Sequence, residues 1–186
     1  MFKPLSFAAA VMASSLALAQ SGRDPSSGSD MTKSTSADAT FLKKLAEGDL
    51  AELDAGRLAS QKSTNEGIKE FGQEMIKDHS KNESELKDLA ASHGVEVPAT
   101  IDAAHAAQKS KLENASTAEF NSEYIKAQVS DHEKALALLQ REISNGQDPA
   151  VKDFAQKTLP VVRHHLEMAK QLQGKLPKAV AERGGS

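Results

Sequence analysis

Cysteine is absent from the chain, which excludes disulfides, thiolate metal sites, cysteine nucleophiles and a lipid-modified cysteine. Tryptophan is absent too, and the aromatics amount to one tyrosine and six phenylalanines. The core must therefore come from Leu, Ala, Val and Ile, which suits close-packed helices. The longest apolar stretch, Phe7 to Leu18, falls short of the ~20 residues that span a bilayer, so no membrane span is expected. Basic charge is not in excess: 23 Lys and Arg stand against 26 Asp and Glu, mixed along the chain. A nucleic-acid partner, which asks for a basic patch, is not expected. Nor is there a nucleophile elbow or a glycine-rich oxyanion loop, so hydrolase chemistry has no support and an enzymatic role is not expected.

The ends of the chain read as processing and solvent-facing segments. Residues 1–19 have the pattern of an export signal, with Lys3 as the lone charge, an apolar run, and the small-x-small site Ala17-Leu18-Ala19. Cleavage after Ala19 would deliver the chain to the periplasm or the medium. Residues 20–36 are rich in Ser and Gly with almost nothing apolar to bury, a flexible lead. Residues 177–186 read as a disordered tail. Between them, 37–176 form one domain, long enough for a real core.

That domain repeats itself at an offset of 83 residues. Asn65-Glu66-Gly67-Ile68-Lys69-Glu70-Phe71-Gly72-Gln73 is matched by Asp148-Pro149-Ala150-Val151-Lys152-Asp153-Phe154-Ala155-Gln156, and Phe41, Leu42, Ala46 and Leu53 fall on Tyr124, Ile125, Val129 and Leu136. Two helical hairpins built alike are implied. The spacing predicts a first helix from about Asp38, read as its N-cap, to Gln61, and a second capped by Asn65 and closed by Gly94. A third begins near Thr117 and stops at Asn145-Gly146. A fourth starts at Asp148-Pro149 and buries Val151, Phe154, Thr158, Val161, His165, Met168 and Leu172. Pro160 lies inside it, where a missing hydrogen bond predicts a kink.

Helices of this length span roughly 35 to 40 Å. The stretch from Gly94 to Ser116 is too long for a turn between neighbours. Extended through Val95 to Pro98 and then helical near Asp102 to Leu112, it can travel the whole assembly and set the third helix parallel to the second. The expected fold is all-α: a ferritin-like four-helix bundle with a long crossover containing a short helix between helices 2 and 3.

Several segments resemble a known bacterial family. Leu50-Ala51-Glu52-Leu53, Met75-Ile76-Lys77-Asp78-His79, Tyr124 through His132, Lys157-Thr158-Leu159-Pro160 and His164-His165-Leu166 are similar to the exported ferritin-like proteins of domain-of-unknown-function family 4142. The resemblance covers about Asp38 to Leu176. It implies the ferritin-like fold and a location in the periplasm or envelope, and no activity.

Polar residues interrupt the apolar stripes. Glu52, His79, Asp131 or His132, and His165 fall near the middle of four different helices on their inward faces, with Asp78 and His164 beside them as supporting partners or alternates. Oxygen and imidazole donors from several helices are what a divalent transition metal (Fe, Zn, Mn or Cu) takes, and helical bundles build such sites between facing helices. The di-iron signature Glu-x-x-His is absent: Ile76, Val129 and Val162 stand three residues before His79, His132 and His165. Offset 83 also pairs Glu52 with Ala135 and Asp49 with His132, so any centre is lopsided. The competing reading is a non-enzymatic envelope module whose buried Asp/His/Glu network only holds the helices in register. Its partners would be an envelope protein or a second copy of the chain.

Overall fold

The computed structural model describes residues 36–177. The export signal, nearly all of the Ser/Gly lead and the tail beyond residue 177 lie outside the described residues. Within them all regular structure is helical, in the order α1 (Ser36–Lys62), α2 (Glu66–Ser92), α3 (Ala103–Asn114), α4 (Thr117–Asn145) and α5 (Pro149–Lys175). None of these helices is long and apolar enough to cross a membrane.

The helix ends follow local chemistry. Asn65 caps α2 by accepting the Ile68 N–H, Ser116 and Glu119 close a reciprocal capping box on α4, and Asp148 caps α5 by accepting the Ala150 and Val151 N–H groups. At the end of α2, Gly94 has φ 65°, while the Val95 and Gly94 N–H groups return to the carbonyls of Ala90 and Ala91. A side chain there would be strained, so glycine ends the helix.

Helices α1 and α2 form one hairpin and α4 and α5 the other; α1 faces α4, α2 faces α5, and α3 lies against α1 and α4. Two apolar clusters give the directions. One joins Phe41 and Leu45 at the start of α1 to Leu86 and Ala90 late in α2, Leu139 late in α4 and Val151 early in α5. The other joins Ala59, Ile68 and Phe71 to Phe120, Tyr124 and Ala169 at the opposite end. Helices α2 and α4 therefore run the same way, joined by the segment that holds α3. In the first hairpin the backbones come close where Gly56 meets Gly72: a Cβ on Gly56 would lie 2.7 Å from the Gly72 carbonyl oxygen.

Two positions, Val161 and Asp38, differ from the sequence reading. Val161, expected inside, is 39% exposed, and Val162 takes the buried position one residue, about 100°, further round α5. Helix α5 runs through Pro160 without interruption. Asp38 does not cap α1 but lies in its first turn, where its buried Oδ1 accepts the Gln147 N–H at 3.0 Å and ties α1 to the α4–α5 connection. A second tie crosses the same end: His93 Nε2 lies 3.0 Å from Asp148 Oδ2, linking the end of α2 to the cap of α5.

Candidate metal centre

Between the two apolar clusters lies a polar layer supplied by four helices. His79 on α2, His132 on α4 and His165 on α5 turn their rings inward, at 8%, 1% and 0% exposure. Ring centroids are 5.8 Å apart for His79–His132, 5.4 Å for His79–His165 and 5.5 Å for His132–His165. One ring nitrogen from each comes within 4.8 Å of the other two.

The outer nitrogen of every ring is already engaged. His79 Nδ1 donates to Asp49 Oδ1 at 2.7 Å, His132 Nδ1 to the Gln128 carbonyl at 2.9 Å, and His165 Nε2 to Asp78 Oδ2 at 3.1 Å. A carbonyl can only accept, so His132 must carry its proton on Nδ1; the carboxylates impose the same choice on the other two rings. His79 Nε2, His132 Nε2 and His165 Nδ1 are buried without a hydrogen-bond partner. Buried polar atoms are rarely left in this state. When neutral, rings held in these tautomers each carry a lone pair on the unpartnered nitrogen.

Further polar groups brace the rings. Asp49 Oδ2 accepts from Asn82 Nδ2 at 2.7 Å, and Asn82 Oδ1 accepts from Thr158 Oγ1 at 3.0 Å, which joins α1, α2 and α5. Glu52 Oε2 accepts from Gln128 Nε2 at 2.6 Å, joining α1 to α4. Burial pushes the carboxyls of Asp49 and Glu52 above their ordinary range. Burial opposes a charge on His79, yet its bond to Asp49 and the nearby carboxylates outweigh it and raise its basicity. Burial, reinforced by the charge on His79, lowers His132 and His165 to about 4. Near neutral pH these two rings are therefore uncharged, as metal-binding imidazoles must be.

The residues singled out by sequence divide into two sets. His79, His132 and His165 converge. Glu52 is buried beside them, but its Oε1 lies 3.7 Å from Nδ1 of His132, the side away from the free nitrogen, and the Gln128 amide holds its other oxygen. Asp131, the alternative to His132, turns to α3, accepting from Gln108 at 2.6 Å and pairing with Lys134 at 2.9 Å. Asp78 supports His165. His164 is exposed, its Nε2 3.7 Å from Glu74 Oε1.

Asp49, Asn82, Gln128 and Thr158 were not recognised as part of this layer from sequence. The repeat held a signal for two of them, since the same offset that pairs Asp49 with His132 also pairs Asn82 with His165. Clefts reach the layer from two sides. One of about 430 Å³ is lined by Glu52, His79 and His132 with Lys44, Lys134 and Arg141; another of about 420 Å³ is lined by Asp78, His79 and His165.

Solved structures with this fold include a DUF305 fragment from Deinococcus radiodurans, with TM-score 0.69 and 13% identity over 77% of this chain and 99% of that one. CopM in its Cu(II)-bound form matches with TM-score 0.64 and 18% identity, over 74% and 95% of the two chains. A conserved hypothetical protein from Mycobacterium tuberculosis matches with TM-score 0.63 and 16% identity, over 78% and 96%. At these identities the likeness is one of fold. No curated protein matches in sequence. The profile of DUF4142, a domain of unknown function, matches residues 11–172, and the chain belongs to that family.

Proposed function

We propose that this protein is an exported ferritin-like four-helix bundle, with α3 as its crossover helix, that binds one transition-metal ion through His79, His132 and His165. One observation carries the reading: three buried imidazoles from three helices bring one nitrogen each within 4.8 Å of the others, and each ring has one nitrogen hydrogen-bonded and the other without a partner. That is how metal-binding histidines are oriented in proteins. Asp49, Gln128 and Asp78 would hold the rings, and Glu52 would supply compensating charge. Imidazoles without thiolates suit copper, zinc and iron better than manganese, which favours oxygen donors. A Cu(II)-bound protein among the structural relatives makes copper the first ion to test. Three protein ligands leave a coordination position open, which fits storage, buffering or protection against metal stress outside the cytoplasm. Removal of an export signal after Ala19 would place the protein in the periplasm or medium.

The test is titration of the mature protein with Cu(II), Zn(II) and Fe(II), followed by elemental analysis and thermal unfolding. One ion per chain is expected, with about 2.7 kcal/mol of added stability at ~100 times Kd. His132→Ala and His165→Ala should lose both. The second reading, favoured by the His79–Asp49–Asn82–Thr158 connection across three helices, is an envelope interaction module in which these groups only hold register. In that case the same variants lower stability and added metal leaves the wild type unchanged.

A further inference from the structure

His165 belongs to two groups of metal-capable side chains. Outside the three-imidazole centre, Glu74, Asp78 and His165 each offer a donor atom, and these atoms lie within 4.8 Å of one another. Glu74 and Asp78 sit one turn apart on α2, both partly exposed, and exposed His164 on α5 stands 3.7 Å from Glu74. Asp78 and His165 also line the cleft of about 420 Å³. Lys81, in the same cleft, lies 3.9 Å from Glu85. Two half-exposed carboxylates alone would mean little. Here a fully buried imidazole completes the group, its Nε2 3.1 Å from Asp78 Oδ2, and the opposite nitrogen of that ring, Nδ1, is one of three unpartnered imidazole nitrogens.

We propose that Glu74, Asp78 and His165 Nε2, with His164 at the rim, form a loading site where a divalent transition-metal ion binds before it passes to the centre. This rests on the reading of the three imidazoles as a metal centre. A neutral imidazole has one lone pair and one N–H. With the ion outside on Nε2, the ring proton sits on Nδ1; with the ion inside on Nδ1, it sits on Nε2 and is donated to Asp78. Each transfer therefore exchanges one proton at the ring: Nδ1 releases its proton as it takes the ion and Nε2 accepts one from water on the Asp78 side, so the ring neither gains nor loses one. The two positions exclude each other, so capacity stays at one ion per chain.

The experiment is stopped-flow mixing of the mature chain with Cu(II), following its d–d absorption, for wild type and for Glu74→Gln combined with His164→Ala. Both substitutions are outside the core, and circular dichroism checks that the fold is retained. The expected result is uptake slowed about tenfold by loss of the local charge and ligands, with Kd and one-ion capacity unchanged. Equal uptake rates in the two proteins would overturn the loading site while leaving the centre intact. Two ions per chain at saturation would overturn the tautomer exchange. A wild type that takes up no Cu(II), Zn(II) or Fe(II) would reject the centre and the loading site together.

Discussion

The α1–α2 hairpin carries Asp49 and Asn82 at the positions where the α4–α5 hairpin, 83 residues on, carries His132 and His165. Each pair meets across its own hairpin: Asp49 and Asn82 through a 2.7 Å hydrogen bond, His132 and His165 with ring centroids 5.5 Å apart. The repeated scaffold thus makes the same cross-helix contact twice and fills it with different chemistry. One copy supplies a carboxylate and an amide that orient, the other imidazoles with nitrogens to spare. His79 breaks the pattern, since its counterpart is the buried apolar Val162. Packing differs as well. Gly56 and Gly72 let the first hairpin close tightly, whereas the second has Leu139 and Ala155 at those positions.

The sharpest way to break this comparison is His165→Asn, which gives the second hairpin the residue of the first. Copper affinity, measured by competition with a chelator, should fall by more than about 100-fold, whereas Asn82→Ala, which removes only an orienting partner, should cost about tenfold. Next in size is the close approach of the first hairpin. Gly72→Ala would drive a Cβ to 2.8 Å from Ala59 Cβ and 2.9 Å from the Gly56 carbonyl oxygen, and should cost about 2 kcal/mol in urea unfolding. The matching Ala155→Gly change should cost about 1 kcal/mol, as a mid-helix glycine does.

The smallest contrast lies at the far end, where Glu142 occupies the position that Ala59 holds in the first hairpin. Burial, with a hydrogen bond and repulsion from Asp38, raises the Glu142 carboxyl to about 7, against 4.5 for a free side chain. The folded protein thus binds the proton more tightly than the unfolded chain. The stability this contributes is complete below the unfolded value and is lost as pH rises through about 7. Melting temperature should drop by roughly 3 °C between about pH 5 and about pH 8, and Glu142→Gln should flatten that decline.

Much of the scaffold was legible because helix periodicity and capping are local. Asn65, Asp148 and Gly94 mark their helix ends in the sequence and in the structure for the same reason: each satisfies orphan backbone groups within a few residues. Position around a helix was less legible. Val161 and Val162, or Asp131 and His132, differ by about 100° of rotation, and which member faces in depends on the neighbouring helices. Asp131 turns out because Gln108 of α3 offers it a hydrogen bond. Asp49 and Gln128 escaped notice because a polar side chain on a mixed face looks like solvent surface until its partners, His79 and Glu52, are known.

By itself the sequence determined an all-helical chain with two related hairpins, a connector long enough to return the length of the molecule, and imidazoles on inward stripes. These depend on spacing and on residues close together in the chain. The tertiary structure alone decided that three rings bring one nitrogen each within 4.8 Å of the others and that Glu52 lies 3.7 Å from His132 with Gln128 on its other oxygen. Those outcomes depend on hydrogen bonds between side chains on different helices, such as His79 to Asp49, 30 residues apart, and His165 to Asp78, 87 residues apart. Only packing brings such partners together and sets the tautomer of each ring.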